Sequence, residues 1–291
     1  MTKRSIEEME EHEASLKNNL ENIKVELPKD FQDRHVEVFN TACKLILKQD
    51  PSLLNIIVAN DSPLYLKTNS GERTLQDHFI KLASAVISQQ ISGSASKSIK
   101  KRFIELYDDV FPTYTRLYED MKNPEKQKAI IGCGVSRRKV SYMESLATYF
   151  AENEEKIREL FQREDNDEEV IEDLVSNIKG IGPWTAKMFL ITSLRRIDVF
   201  APEDVGIARG CSRYLSDKPD LVKKLMSDRK AIKKSKIKHK KLKWKIYDED
   251  IIELCAEQFT PYRSIFMFIL WRLSSTDVNA MIKTEKDFVR G

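Results

Sequence analysis

The chain has 291 residues, of which 41% are hydrophobic and 33% charged, so it can form one large core or two smaller ones under a heavily charged surface. Its net charge is only +3, but acidic residues cluster in the first 25 positions, whereas residues 223–245 are strongly basic. Such asymmetry favours a polyanionic partner. No run of about 18 apolar residues and no signal-peptide pattern occurs, so we expect an intracellular soluble protein with no membrane partner.

The four cysteines are widely scattered along the chain. Their spacing fits neither a zinc site nor a four-cysteine iron–sulfur cluster. We expect reduced and mostly buried thiols at Cys43, Cys133, Cys211 and Cys255.

The first half of the chain predicts helices separated by turn signals. Residues 31–47 and 53–58 fit two helices, and Thr74 with Asp77 forms a capping-box pattern ahead of a long apolar helix. That helix ends in the uncharged polar stretch 88–93. Further helices are expected at 95–107 and 114–121, and from residue 136 onward.

The second half continues the same helical spacing. An acidic run opens the helix that leads to residue 176, and helices are expected at 184–194, 250–258 and 261–273, with a short helix in the tail. Residues 217–247 form a basic insert. Few segments alternate with period two, so the fold is predicted to be mostly or wholly α, with about ten to twelve helices.

Residues 176–190 combine two glycines with a proline ahead of a helix. Gly180 and Gly182 can adopt positive φ or admit a foreign backbone, and Pro183 suits the first position of a helix. This predicts a tight hairpin and a helix N-terminus that favours a phosphate; an ordinary helix–turn–helix connection is the alternative. The loop could instead hold a monovalent cation through the carbonyls of Ser176, Ile178 and Ile181.

Asp204 follows Pro202 at the predicted start of another helix. The helix dipole would keep its carboxylate ionised, which suits the stabilisation of a cationic transition state or the orientation of a water. An N-terminal acid that serves stability alone is the alternative. Asp198 and Glu203 compete for the role, but both are predicted to be structural.

These two segments resemble a known pair of motifs. Residues 179–186 (Lys-Gly-Ile-Gly-Pro-Trp-Thr-Ala) and 198–204 (Asp-Val-Phe-Ala-Pro-Glu-Asp) look like the helix-hairpin-helix and Pro-Asp loop of the helix-hairpin-helix/Gly-Pro-Asp DNA glycosylases. Within that superfamily the chain is similar to the alkylation-repair branch and to fungal 3-methyladenine DNA glycosylases. The similarity runs from about residue 27 to the C-terminus and includes residues 88–93 and 261–264.

The resemblance implies an all-α, two-lobed helix-hairpin-helix DNA glycosylase fold with the active-site cleft between the lobes. Residues 1–26 would be an acidic flexible tail, and residues 27–73 N-terminal helices that pack with the C-terminal lobe. Residues 74–194 would form the central lobe, ending in the helix-hairpin-helix. Residues 195–291 would supply catalytic and packing helices, including the insert 217–247.

The resemblance also implies a monofunctional DNA-3-methyladenine glycosylase. Such an enzyme flips an alkylated purine out of duplex DNA and hydrolyses its N-glycosidic bond, leaving an abasic site for downstream processing enzymes. A cationic alkylated purine is already a good leaving group, so Asp204 would stabilise an oxocarbenium-like sugar. Members with lyase activity carry a Schiff-base lysine where this chain has Trp184, so no lyase activity is expected.

Further expectations follow from the same resemblance. The protein would be a nuclear monomer without a cofactor, apart from a possible structural Na⁺ or K⁺ at the hairpin. Two rival functions remain open, namely a non-catalytic helix-hairpin-helix DNA-binding protein and a glycosylase for oxidised or mismatched bases.

The base pocket is expected to contain aromatic residues, because stacking on a cationic base gains roughly 0.5 to 2 kcal/mol per good face. The candidates are Trp184 and Tyr262, with Met188 below them. Core packing is the alternative for all three and is favoured for Met188. Helical spacing places Phe266, Phe268 and Trp271 in the core.

Three other segments would contact DNA. The hairpin set for the DNA backbone is Gly180, Ile181, Gly182, Pro183 and Lys187, with Lys187 expected to be solvated or to face a phosphate. The wedge loop that fills the gap in the base stack would contain Gln89, Gln90 and Ser92, of which Gln90 and Ser92 are chosen for insertion; an ordinary polar connection is the alternative. The lysine-rich residues 233–245 could bind phosphates, direct nuclear import, or remain solvated.

Overall fold

The computed structural model describes residues 25–237 and 243–276. Within these ranges there are fifteen α-helices, three short 3₁₀ helices and no β-strand, so the all-α prediction is confirmed. In chain order the α-helices are α1 (Lys29–Arg34), α2 (Glu37–Gln49), α3 (Leu54–Val58), α4 (Leu75–Ser88), α5 (Gly93–Glu105), α6 (Tyr114–Met121), α7 (Pro124–Gly132), α8 (Arg137–Glu152), α9 (Glu154–Gln162), α10 (Asp167–Asn177), α11 (Pro183–Thr192), α12 (Val205–Tyr214), α13 (Pro219–Asp228), α14 (Glu249–Glu257) and α15 (Arg263–Leu273).

The helix count exceeds the predicted ten to twelve because the single helix expected at 31–47 is divided into α1 and α2, and because α7, α9 and α13 were not predicted. Pro124 and Pro219 both occupy the first turn of a helix, where a missing N–H costs nothing. Asn123 caps α7 by accepting a hydrogen bond from the Glu125 N–H at 2.9 Å. The insert 217–247 is therefore not a plain loop, since α13 occupies its first part.

Capping fixes the start of α4 as the sequence predicts. The Thr74 hydroxyl accepts from the Asp77 N–H at 3.2 Å, and Asp77 in turn accepts from the Thr74 N–H at 2.8 Å. The helix then buries an apolar face that includes Phe79, Leu82 and Val86, and this face packs on α8. α4 thereby becomes a fixed wall of the central part of the molecule.

Helices α12 and α15 cross in close contact at Gly210. A Cβ added at Gly210 would lie 2.1 Å from the carbonyl oxygen of Leu270, so only glycine permits this crossing. Arg272 of α15 donates to the Ile57 carbonyl at 2.7 Å and to the Asp61 carbonyl at 3.0 Å, which joins α15 to the N-terminal helices. The domain boundaries themselves stay predictions.

The remaining sequence expectations have mixed outcomes. All four cysteines are free and buried, as expected. No helix among the described residues is long and apolar enough to cross a membrane. The predicted acidic tail falls almost wholly outside the described residues, as do the tail helix after residue 276 and residues 238–242 of the lysine-rich run.

Candidate active site

The predicted hairpin is present between α10 and α11. Gly180 has φ 82°, and a Cβ there would lie 2.2 Å from the ring of Tyr142, so both conformation and space require glycine. Gly182 differs, because its φ is −103° and nothing lies within 4 Å of its ideal Cβ position. Pro183 occupies the first turn of α11. The open side of Gly182 thus leaves room for another backbone at a helix N-terminus.

The carbonyls proposed for a cation lie at the end of α10 and in the hairpin. The Ser176 carbonyl is in the last turn of α10, where helix carbonyls lack intrahelical partners. The Ile178 carbonyl accepts from the Ile181 N–H at 3.2 Å, which leaves its second lone pair. Both carbonyls thus have lone pairs for a monovalent cation, whose presence stays a prediction.

Asp204 is the N-cap of α12, and its carboxylate accepts three N–H hydrogen bonds. The Ile207 N–H donates to Oδ1 at 2.9 Å, which is the capping bond. The indole of Trp271 donates to the same Oδ1 at 3.0 Å, and the indole of Trp184 donates to Oδ2 at 2.9 Å. The helix-capping role and the electrostatic role considered for this residue therefore coexist in one geometry.

Trp184 lies between Asp204 and a cavity of about 620 Å³. The cavity is lined by residues of α4, α8 and α11, and its apolar lining includes Ile80, Met188 and Phe189. Trp184 lines it too and is 40% exposed, which is unusual for a tryptophan. This volume is in the range of small-molecule sites, and an exposed indole offers a stacking face for a flat ring.

The three predicted base-pocket residues occupy different environments. Trp184 and Met188 line the cavity, although Met188 is buried. Tyr262 is half-buried, occupies the N-cap position of α15 without a side-chain capping hydrogen bond, and is not among the cavity's lining residues. The structure thus brings two of the three together. A role for Tyr262 in base binding stays a prediction.

The charged residues beside Asp204 form ion pairs. Lys187 pairs with Glu203 at 3.1 Å, and the two side chains are 21% and 26% exposed, so the expectation of a solvated Lys187 is wrong. This pairing occurs because both residues project into the same space between α11 and the 198–204 segment. Asp198 accepts from the Arg263 Nε at 2.9 Å and the Arg263 N–H at 3.1 Å. Both acids are in structural pairs, as predicted, and a phosphate contact of Lys187 stays a prediction.

The predicted wedge loop lies opposite the hairpin, between α4 and α5. Gln89 donates to the Gly180 carbonyl at 2.8 Å, which connects the loop to the hairpin. Gln90 has φ 56° and accepts from Arg138 at 3.0 Å. Ser92 caps α5 by accepting from the Ala95 N–H at 3.3 Å. The same loop also exposes an apolar side chain, because Ile91 is 37% exposed. Ile91 was not among the residues predicted to insert into the base stack, which are all polar.

Sequence reasoning missed three residues of this site. Trp271 was assigned to the core, which is correct for its burial but omits its bond to Asp204. Tyr142 and Arg138 line the cavity, and only a basic cluster at the start of α8 marked that helix in the sequence. No local pattern could have revealed these contacts, because each joins residues far apart in the chain.

The described part of the basic insert is anchored at its base. Arg229 donates to Asp250 at 2.9 Å and to Asp248 at 2.9 Å. Lys233 pairs with Glu249 at 3.2 Å, and the hydrogen bond that its ammonium donates to this carboxylate raises the pKa of Lys233. Several other lysines of the insert are exposed: Lys230, Lys234, Lys236, Lys243 and Lys245. They give this part of the surface a positive charge that suits a polyanion.

Comparison with known families is consistent with this geometry. Residues 83–234, which contain α11, the hairpin and Asp204, match the family model described as HhH-GPD superfamily base excision DNA repair protein. The chain belongs to the HhH-GPD superfamily. The match begins in α4 and ends in the basic insert, so the HhH-GPD region includes both sides of the cavity.

Named relatives of this HhH-GPD protein include yeast enzymes. The chain is 59% identical over 268 residues to the DNA-3-methyladenine glycosylase of Saccharomyces cerevisiae, covering 92% of this chain and 90% of the relative. It is 31% identical over 200 residues to DNA-3-methyladenine glycosylase 1 of Schizosaccharomyces pombe, covering 68% of this chain and 73% of the relative.

Solved structures show the same fold. A DNA-3-methyladenine glycosidase from Bacillus halodurans matches with a TM-score of 0.56 and 26% identity, over 81% of this chain and 89% of the other. The Schizosaccharomyces pombe 3-methyladenine DNA glycosylase in complex with abasic DNA matches with a TM-score of 0.53 at 24% identity, over 81% of this chain and 98% of the other. The HhH-GPD glycosylase fold implied by the sequence is therefore confirmed.

Proposed function

We propose that this HhH-GPD protein is a monofunctional DNA glycosylase that releases alkylated purines, such as 3-methyladenine, from duplex DNA. The observation that carries the proposal is the Asp204 carboxylate, held by three N–H donors and joined by one of them to Trp184 at the cavity. The identity to relatives named DNA-3-methyladenine glycosylase supports the substrate class.

The reaction needs a pocket for the base and a negative charge for the sugar. The flipped purine would enter the cavity and stack on Trp184, since a cationic ring is attracted to an indole face. When the C1′–N9 bond breaks, its electron pair neutralises the purine cation and positive charge develops on the sugar. The Asp204 carboxylate would stabilise that charge, and a water then adds to C1′ and releases a proton to the solvent. The product is an abasic site, which downstream enzymes would process.

DNA would be held by the backbone rather than by base-specific contacts. The N–H groups at the start of α11 and the open side of Gly182 suit a phosphate approaching the hairpin. Gln90 and Ser92 would enter the gap left by the flipped base. No Schiff-base lysine stands at position 184, and the nearby Lys187 is paired with Glu203, which supports hydrolysis without lyase chemistry.

The same proposal includes a nuclear location and action as a monomer. The cavity, Asp204 and the hairpin all come from one chain, and the lysine-rich insert suits either DNA phosphates or an import receptor. Hydrolysis of an N-glycosidic bond needs no redox cofactor, so the only bound ion proposed is Na⁺ or K⁺ at the hairpin carbonyls.

The decisive experiment replaces Asp204 with asparagine, which is nearly isosteric but uncharged. Asp204→Asn is expected to slow base release from methylated duplex DNA by roughly a hundredfold or more, with DNA affinity retained. Mass analysis of the released bases identifies the substrates. Undiminished release would disprove the mechanism, and wild-type protein that binds DNA without releasing any base would indicate a non-catalytic DNA-binding protein. A covalent adduct after borohydride treatment would contradict the exclusion of lyase chemistry.

A further inference from the structure

The two oxygens of the Asp204 carboxylate are held unequally. Oδ1 accepts from both the Trp271 indole at 3.0 Å and the Ile207 N–H at 2.9 Å, whereas Oδ2 accepts from the Trp184 indole alone at 2.9 Å. A carboxylate oxygen has two lone pairs, so Oδ1 is fully used and Oδ2 retains one. The two oxygens are therefore available for different tasks.

The two indole donors differ in burial. Trp271 is 1% exposed, packs edge-on against Phe268 at 5.4 Å, and its carbonyl accepts from the Ser274 hydroxyl at 2.8 Å. Trp184 is 40% exposed and lines the cavity. The donor to Oδ1 is consequently locked within the core, and the donor to Oδ2 stands where a substrate would enter.

Gly206 creates the space for the buried donor. A Cβ at this position would lie 2.8 Å from Cδ1 of Trp271, 2.9 Å from Oγ1 of Thr276 and 3.1 Å from Oδ1 of Asp204. The φ of Gly206 is not in the positive region, and the first turn of a helix does not itself require glycine. The absence of a side chain is therefore explained by the close approach of Trp271 and Thr276 to the helix turn that Asp204 caps.

We infer that Trp271 is a positioning residue for the glycosylase reaction. Its indole N–H fixes Oδ1 of Asp204 and directs Oδ2, with its remaining lone pair, toward the sugar on which positive charge develops. This inference rests on the proposed function of Asp204.

Trp271→Phe tests the inference because it keeps an aromatic ring and removes the N–H. Single-turnover release of 7-methylguanine from methylated duplex DNA is expected to slow roughly tenfold to a hundredfold, with unchanged DNA affinity. This loss should be confined to the rate of base release, because the indole N–H would act on the orientation of Asp204 and not on a contact with DNA. A merely structural tryptophan would not separate the rate from the affinity in this way.

Two further variants separate the N–H from the packing. Phe268→Leu disturbs the ring contact of Trp271 but leaves its indole donor, so stability should fall while the single-turnover rate stays close to that of the wild type. Gly206→Ala places a methyl group against Trp271 and Asp204 without altering the tryptophan, and alanine is a good helix former. Gly206→Ala should therefore slow base release as Trp271→Phe does, and it provides the test if Trp271→Phe fails to fold.

The outcomes distinguish this inference from the proposed function. A wild-type rate of base release in Trp271→Phe, or in Gly206→Ala if Trp271→Phe does not fold, would overturn the inference. An equal loss of rate in Phe268→Leu would also overturn it, because packing would then be the cause. Base release that persists in Asp204→Asn would instead reject the proposed function itself.

Discussion

The two sides of the cavity are held by different kinds of contact. On the side of α11 and α12, backbone geometry and buried donors fix the site: Gly180 has a positive φ, and Asp204 caps a helix while bound by the buried Trp271. On the opposite side, side chains of exposed or partly exposed residues hold the loop 89–92, with Gln89 bonded to the hairpin and Gln90 bonded to Arg138. The first side is preorganised for chemistry, and the second can rearrange around DNA.

Gly180→Ala tests the side of the cavity that is fixed by backbone geometry, and it is expected to have the largest effect on stability. A methyl group there meets the Tyr142 ring at 2.2 Å in a conformation unfavourable for alanine, so the free energy of unfolding should fall by about 2 to 4 kcal/mol. Urea denaturation measures this loss of unfolding free energy.

Gly182→Ala is the matched control, because its Cβ position is open and its φ is negative. It should cost less than about 1 kcal/mol and yet weaken DNA binding. Equal stability losses would contradict the distinction between the two glycines.

The next effect concerns His78, which joins α4 to the end of α11 beneath the cavity. Its ring bonds to the Ser193 hydroxyl at 2.9 Å and packs edge-on against Phe161 and Phe189. Burial, with a smaller contribution from the charge of Arg73, lowers the pKa of His78 from 6.5 to about 4. The unfolded chain therefore binds this proton more tightly than the folded protein does.

The sign of the pH dependence follows from that difference. The stability contributed by neutral His78 is fully present above pH 6.5, is lost as the pH falls from 6.5 toward 4, and amounts to roughly 3 kcal/mol in total. Unfolding measured across this range should show the loss in wild-type protein. His78→Gln should remove most of that slope. An unchanged slope in the variant would show that other groups cause the acid sensitivity.

The sequence predicts the backbone-determined parts of this molecule well. The hairpin, the start of the helix after Asp204 and the Thr74–Asp77 capping box all depend on short local patterns of glycine, proline and capping residues. The helices that begin at Pro124 and Pro219 were missed because proline marks both turns and first turns of helices.

Contacts between distant side chains could not be predicted in this way. Helical spacing correctly places Trp271 in the core, but no spacing shows that its N–H meets a carboxylate 67 residues away. The expectation that Lys187 is solvated was wrong for the same reason, since Glu203 lies 16 residues further along the chain. Such contacts depend on how helices cross, which local patterns do not encode.

The smallest predicted effect concerns the loop 89–92. Arg138→Met removes the hydrogen bond to Gln90, whose positive φ then lacks that support, so the loop should become less ordered before DNA binds. Affinity for duplex DNA containing an abasic-site analogue should fall by roughly threefold to tenfold, or about 1 kcal/mol. Fluorescence anisotropy measures this affinity.

Arg137→Met is the matched control, because Arg137 is exposed, adjacent in sequence, and carries the same charge. If Arg138 acts only as a positive charge near DNA, both variants should weaken binding equally and both losses should disappear at high salt. If Arg138 positions Gln90, Arg138→Met should lose more DNA affinity than Arg137→Met, and this additional loss should persist at high salt. The second result would show that a side-chain hydrogen bond positions the loop 89–92. The side of the cavity formed by α11 and α12 is instead positioned by backbone geometry and buried donors.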